Sequence, residues 1–296
     1  MRWMATAIAL ATRTRALSIP NPNIGCVIIK DGRVVGRGWT QPGGRPHAEA
    51  MALAQVGARA QGATAYVSLE PCAHTSPRGP SCAGLLATAG VARVVVALTD
   101  PDPRTNGKGI ATLNAAGIEV QSGVMAGEAS ASMAGWLMQH REGRPFVTLK
   151  LATSLDGCIA ASSGESQWIT GETARAHGHL IRAQSNLIIV GRGTYEADHP
   201  RLDVRIGGLE ARSPERAILG RNGAAPEGWL ADYPVPSNLG ALRHRDSVLH
   251  VRGCAPQARA GGHQAGDDPP HKFRAQRQSG CFARASDGHA RARRPR

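Results

Sequence analysis

The chain has 296 residues, room for two ordinary domains with a core each, and 42% of them are hydrophobic. No apolar run approaches the roughly eighteen residues that would suggest a bilayer-spanning helix, and six cysteines are too sparse for a disulfide scaffold. The net charge of +13 points first to nucleic acid, but +8 of it lies in residues 233–296, where 12 Lys and Arg meet 4 Asp and Glu, outside the segments with domain-like patterning.

Met1 to Leu17 alternates arginine with alanine and leucine and predicts an amphipathic helix. It lacks the apolar h-region and cleavage site of a secretory signal, so a cytoplasmic protein is expected. Ile24–Lys30 and Arg33–Trp39 are apolar-rich runs joined at Asp31-Gly32, which predicts a β-hairpin. His47–Ala60 predicts a helix reached through the turn Gly43-Gly44-Arg45-Pro46, and Ala65–Leu69 a strand. Pro71 to Ser81 holds three prolines and a glycine and must be a loop; Cys82–Ala89, with Ser81 as N-cap, predicts a helix. Val91–Leu98 predicts a buried strand, and Gly109–Ala116 with Ile118–Gln121 repeats the helix-then-strand order. Alternating helices and strands make residues 1–143 an α/β domain.

A second unit starts near Arg144. Phe146–Ala152 predicts a strand, Glu172–Gln184 a helix and Leu187–Val190 a buried strand, again in α/β order, and the pattern fades beyond Ala231. From Gly240 to Arg296 only six of 57 residues are Leu, Ile, Val or Phe, so residues 232–296 are expected to be a disordered, low-complexity basic tail.

His47-Ala48-Glu49 at a helix start, followed by Pro71-Cys72 and Cys82, supplies one imidazole and two thiols. Catalytic zinc takes three protein ligands and keeps its fourth position open, whereas a structural site is closed by a fourth Cys or His; this set fits the open type. Residues two apart diverge on a regular helix, but the nonhelical approach through Pro46 lets His47 and Glu49 face one centre. A helix N-terminus favours the thiolate at Cys82. Zinc would bring the pKa of a water towards about 7, and Glu49 would carry protons from it to a ring nitrogen and to departing ammonia.

The set resembles the cytidine-deaminase-like superfamily, whose signature is H-x-E followed by P-C-x-x-C with the glutamate not a ligand. Here nine residues separate Cys72 from Cys82 instead of two. That wide loop, with Asn21-Pro22-Asn23-Ile24-Gly25-Cys26 before it, is similar to the deaminase half of the bifunctional riboflavin biosynthesis proteins over residues 1–143. The resemblance implies a three-layer α/β/α domain with His47, Cys72 and Cys82 on Zn2+, Glu49 as proton carrier, and Asn21 and His74 holding the pyrimidine. Arg78 suits the substrate phosphate. His74 has a rival role as a ligand, but its place in the loop suits a substrate contact better.

Lys150-Leu151-Ala152-Thr153-Ser154-Leu155-Asp156-Gly157 and Ser163-Gly164-Glu165-Ser166-Gln167-Trp168-Ile169-Thr170 resemble the reductase half of the same proteins, which has a dihydrofolate-reductase-like α/β fold. The resemblance, extending to about Leu230 within a partial domain 144–231, implies Ala152, Trp168, Thr194 and Asp198 against NADPH, and Ser166, Arg182, Leu202 and Arg205 against the ribose-phosphate substrate. Taken alone, Trp168 reads as core and Arg182 as a solvated charge. The run Val190-Gly191-Arg192-Gly193-Thr194 is not a Rossmann turn, because Glu196 occupies the third glycine position. Nothing after Ala231 supplies the further strands and glycine-pair loop of such reductases, as in a frameshifted or truncated gene or, alternatively, a natural disordered basic tail, so little or no reductase activity is expected.

The substrate implied is 2,5-diamino-6-(5-phosphoribosylamino)pyrimidin-4-one, a phosphoribosyl-pyrimidine, deaminated by a homo-oligomer with no membrane and no specific nucleic-acid partner. Two other readings are another nucleobase or nucleoside deaminase, which predicts the short cysteine spacing, and a basic nucleic-acid-binding protein with a structural zinc.

Overall fold

A computed structural model describes residues 1–220 and 247–250. Residues 221–231 of the expected second domain and most of the expected tail 232–296, with Cys254 and Cys281, lie outside the described residues.

Helix α1 (Arg2–Ala11) precedes a hairpin of β1 (Gly25–Lys30) and β2 (Arg33–Trp39). The turn sits at Asp31 and Gly32, both with positive φ (49° and 70°), the conformation that a two-residue turn matching the strand twist requires. Next come α2 (Ala48–Val56), β3 (Thr64–Val67), α3 (Cys82–Thr88), β4 (Arg93–Val96), α4 (Lys108–Ala115) and β5 (Glu119–Ser122). The strands form one sheet in the order β2-β1-β3-β4-β5. β1 runs antiparallel to β2 and β3, while β3, β4 and β5 are parallel, each pair joined by a helix. Two helices that the sequence pattern did not reveal follow, α5 (Ala126–Ser132) and α6 (Ala134–Glu142).

Alternation along the strands sends side chains to two cores. Cys26, Ile28, Val67, Val94 and Val96 pack with Ala52 and Val56 of α2, Leu86 of α3, Leu113 of α4 and Leu137 of α6. Val27, Ile29 and Val95 face the other way, onto Met4 and Ala7 of α1 and Ala129 of α5. Helices therefore cover both faces, and the three-layer α/β/α arrangement follows from period-two burial in the strands.

Phe146–Ala152 does not form the expected strand. Among the described residues it pairs with no other segment, and Val147, Leu149 and Leu151 are exposed. Alternating apolar residues propose a strand, but a strand exists only where neighbouring backbone satisfies its N–H and C=O groups. Helix α7 (Glu172–Ala183) forms as expected.

A separate compact unit contains β6 (Leu187–Gly191), α8 (Arg192–Asp198), β7 (Glu215–Gly220) and β8 (Ser247–His250), with parallel strands in the order β6-β7-β8. Tyr195, Leu202 and Ile218 form its small core with Ile188 and Val190. β8 falls inside the stretch expected to be disordered: composition averaged over 57 residues passes over the local run Ser247-Val248-Leu249-His250, which pairs beside β7.

Helix α2 owes its seat to two glycines of β2. A Cβ at Gly36 would stand 2.5 Å from the Ala52 carbonyl oxygen, and one at Gly38 only 2.2 Å from that of Ala48. Gly38→Ala should therefore lift the start of α2 off the sheet and cost about 1–3 kcal/mol, as overpacking does. Urea unfolding measures the change, and an unaltered midpoint would show that α2 tolerates the displacement.

Candidate metal centre

His47 is the N-cap of α2, with extended backbone (φ −72°, ψ 162°), and Glu49 lies in the first helical turn. That break in helical periodicity lets an imidazole and a carboxylate two residues apart turn to the same side. Cys82 is the first residue of α3; the Ser81 side chain caps that helix by accepting from the Gly84 N–H at 3.2 Å. Cys72 sits in the loop after β3, where its carbonyl accepts from the Ala83 N–H (3.1 Å) and its sulfur from the Cys82 N–H (3.3 Å).

The His47 Nδ1 atom lies 3.3 Å from Cys82 Sγ and 3.6 Å from Cys72 Sγ, and the three ligand atoms all fall within 4.8 Å of one another. Two donors on one tetrahedral zinc stand about 3.5–3.8 Å apart, given Zn–S of about 2.3 Å and Zn–N of about 2.0 Å, so the cluster has the size the ion requires.

The electrostatics favour a cation there as well. Glu49 is 1% exposed and its Oε2 has no hydrogen-bond partner. Burial pushes its carboxyl above the usual range against the opposing pull of His47. Cys72 is the natural thiolate: hydrogen bonding from the Cys82 thiol, aided by His47 and the Cys82 backbone N–H, brings it down to about 4. That hydrogen bond, burial and the nearby Glu49 push Cys82 up in turn. Two thiolates and a carboxylate cannot all ionise in so small a buried volume alone, and a divalent cation offsets the repulsion.

Around this cluster, Asn21 Nδ2 donates to the Gly44 carbonyl (2.8 Å) and lies 3.0 Å from His47 Nε2. His74 stands apart from the ligand cluster, with Nδ1 3.5 Å from the hydroxyl of buried Thr105. Arg78 reaches back to donate to the Gly43 carbonyl at 2.7 Å. Arg45, which sequence reasoning passed over as a turn residue, crosses the other way to Ser76 Oγ at 3.3 Å. Both arginines line a pocket of about 230 Å³ bordered by His47 and Cys82. Further along, burial raises Asp100 to about 6, while hydrogen bonding from Arg104 holds Asp102 at about 2.

Sequence reasoning also missed Glu70 and Thr105, both buried. A glutamate between the apolar strand and Pro71-Cys72 was the available signal, since a charge at the end of a buried strand must have partners.

For the second half, Arg182 Nη1 donates to the Asp203 carbonyl and Arg205 pairs with the Asp203 carboxylate, so these two residues meet around one aspartate. The Arg205 N–H donates to His179 Nδ1 (3.2 Å). Ala152 and Ser166 lie in irregular chain, and Trp168 is 71% exposed with the Arg175 guanidinium 4.7 Å above its ring, so it is not core. In the β6-β7-β8 unit, Thr194 and Asp198 are exposed on α8, and Leu202 is buried against Tyr195 and Ile218.

Comparison with known proteins gives two family matches: residues 1–98 with the cytidine and deoxycytidylate deaminase zinc-binding region, and residues 145–234 with the RibD C-terminal domain. The chain is 49% identical over 211 residues to the riboflavin biosynthesis protein RibD of Escherichia coli K12, covering 71% of this chain and 57% of that one. It is 42% identical over 228 residues to RibD of Mycobacterium tuberculosis, covering 76% and 67%. A Thermotoga maritima structure, a diaminohydroxyphosphoribosylaminopyrimidine deaminase/5-amino-6-(5-phosphoribosylamino)uracil reductase, superimposes with a TM-score of 0.69 at 37% identity, over 75% of this chain and 63% of that one. The chain thus spans a little over half to two thirds of the length of these relatives.

Proposed function

The chain belongs to the riboflavin biosynthesis protein RibD family, and we propose that residues 1–143 catalyse the hydrolytic deamination of 2,5-diamino-6-(5-phosphoribosylamino)pyrimidin-4-one, with His47, Cys72 and Cys82 holding zinc. The observation that carries this reading is the meeting of three ligand atoms within 4.8 Å beside a buried carboxylate oxygen with no partner. The deaminase named for the Thermotoga relative acts on this class of compound. In the sequence, +8 of the net charge of +13 lies beyond residue 232 and outside residues 1–143, which favours a small-molecule substrate over nucleic acid. Among the described residues no helix is long and apolar enough to cross a membrane.

Zinc, when bound, makes a water acidic enough to act as a nucleophile near neutral pH. In the net reaction a C–O bond forms from water, the C–N bond to the exocyclic amino group breaks and ammonia leaves. Glu49 handles the protons: its carboxylate accepts one from the water and passes it to the ring nitrogen, then takes the second from the hydroxyl newly bonded to carbon and delivers it to the departing amine. Asn21 and His74 flank the cluster where a pyrimidine edge would be held. Arg78, joined by Arg45 at the rim of the same pocket, offers two guanidiniums to the phosphate, and neither has a carboxylate partner among the described residues.

Glu49→Gln keeps the side-chain volume and removes the proton carrier. It should retain one equivalent of zinc while ammonia release falls by about 10²–10⁴-fold. Release at the parental rate from a metal-loaded variant contradicts the assignment.

For the second half we propose that NADPH-dependent reduction is weak or absent in this chain. Val147, Leu149 and Leu151 stand exposed, and Ala152, a residue the family resemblance places against the cofactor, belongs to a segment paired with no strand among the described residues. NADPH oxidation followed at 340 nm with the deaminated substrate should stay at background; steady turnover overturns the proposal.

A further inference from the structure

Glu70 is 1% exposed, and no Lys, Arg or His side chain bonds to it among the described residues. Its partners are backbone donors. Oε2 accepts from the N–H groups of Asp100 (3.1 Å) and Gly107 (3.0 Å), and Oε1 from that of Ile110 (3.1 Å). Its own N–H donates to the Leu98 carbonyl at 2.8 Å. One carboxylate thus joins three places: the end of β3 just before Pro71-Cys72, the chain leaving β4, and the first turn of α4. The fit is close, since a Cβ at Gly109 would stand 2.0 Å from the Pro71 carbonyl oxygen and 3.1 Å from Glu70 itself.

The segment held this way, Asp100 to Gly107, carries Thr105. That residue is fully buried, its N–H donates to the Asp102 carbonyl (2.8 Å), and its hydroxyl lies 3.5 Å from His74 Nδ1. Among the described residues the Thr105 hydroxyl is the one side-chain group within hydrogen-bonding reach of the His74 ring, which also lies near Asp102 of the same turn, and that turn is the one Glu70 braces.

We propose that Glu70 is a positioning residue for the deamination, its carboxylate holding the Asp100–Gly107 turn against Pro71-Cys72 so that Thr105 fixes the His74 imidazole towards the pyrimidine. This rests on the deaminase reading above. The role requires a carboxylate: three N–H groups converge on two oxygens that are acceptors only, and an amide of the same shape would turn a donor towards one of these sets of donors.

The zinc-loaded chain of 296 residues tests this with Glu70→Gln, Thr105→Val and the double variant. Glu70→Gln should unfold cooperatively and keep one zinc per chain, yet raise KM for the pyrimidine substrate on the order of tenfold with a smaller change in kcat. Thr105→Val should raise KM similarly, and the double variant should be little worse than either single one, because both interrupt one path. With 15N-histidine labelling, the His74 ring resonance should move in both single variants without substrate, while the His47 resonance stays in place. A folded, metal-loaded Glu70→Gln protein with parental KM and an unmoved His74 resonance overturns the proposal, as do single effects that simply multiply. Should Glu70→Gln fail to fold, Thr105→Val decides by the same two readouts. If the parent releases no ammonia, the deaminase reading fails and the His74 resonance alone decides the brace, its movement supporting the linkage and its constancy refuting it.

Discussion

Two sulfurs, an imidazole and a carboxylate are gathered in one buried volume where they can all take their ionised, metal-binding forms only beside a cation, and much of the first domain serves to hold them. His47 and Cys82 stand at the starts of their helices, and at Cys82 the backbone N–H points at the Cys72 sulfur and favours negative charge. Cys72 is fixed by the loop between β3 and α3, through its carbonyl to Ala83 and its sulfur to the Cys82 N–H. The parallel strands bring these segments to one end of the sheet, and Gly36 and Gly38 let α2 lie close on β2, with Glu49 beside the cluster. Fold and chemistry are linked at backbone contacts, where even a methyl group has no room.

Sequence legibility follows from how local each cause is. Asp31-Gly32 declares the hairpin because positive φ at two successive positions is a property of those residues alone, and Ser81 declares the start of α3 because its cap bond spans three residues. The ligands were legible as a set because one His and two Cys, with a Glu two residues after the His, make the donor set of an open zinc site. Glu70 and Thr105 were not, since their roles arise from partners 30 to 40 residues away: the amides of Asp100, Gly107 and Ile110 for one, the His74 ring for the other. Arg45 looked like a turn residue until the turn and the Ser76–Gly79 bridge were seen to face one pocket.

The second half shows where pattern alone misleads. Phe146–Ala152 has the alternation of a strand, and Val147, Leu149 and Leu151 remain exposed because pairing is decided by neighbours that the segment itself cannot supply. Ser247–His250 shows the converse, a strand in a stretch whose average composition argues against one. Both errors come from treating strand formation as a property of one segment when it belongs to a pair.

The central claim is that His47, Cys72 and Cys82 are the protein ligands of one zinc that keeps a position open to solvent. X-ray absorption at the zinc edge on the purified chain reads that ligand set directly. The account predicts two sulfurs at about 2.3 Å with one imidazole nitrogen and one light, exchangeable ligand at about 2.0 Å. A shell closed by a fourth Cys or His, or one lacking either sulfur, contradicts it.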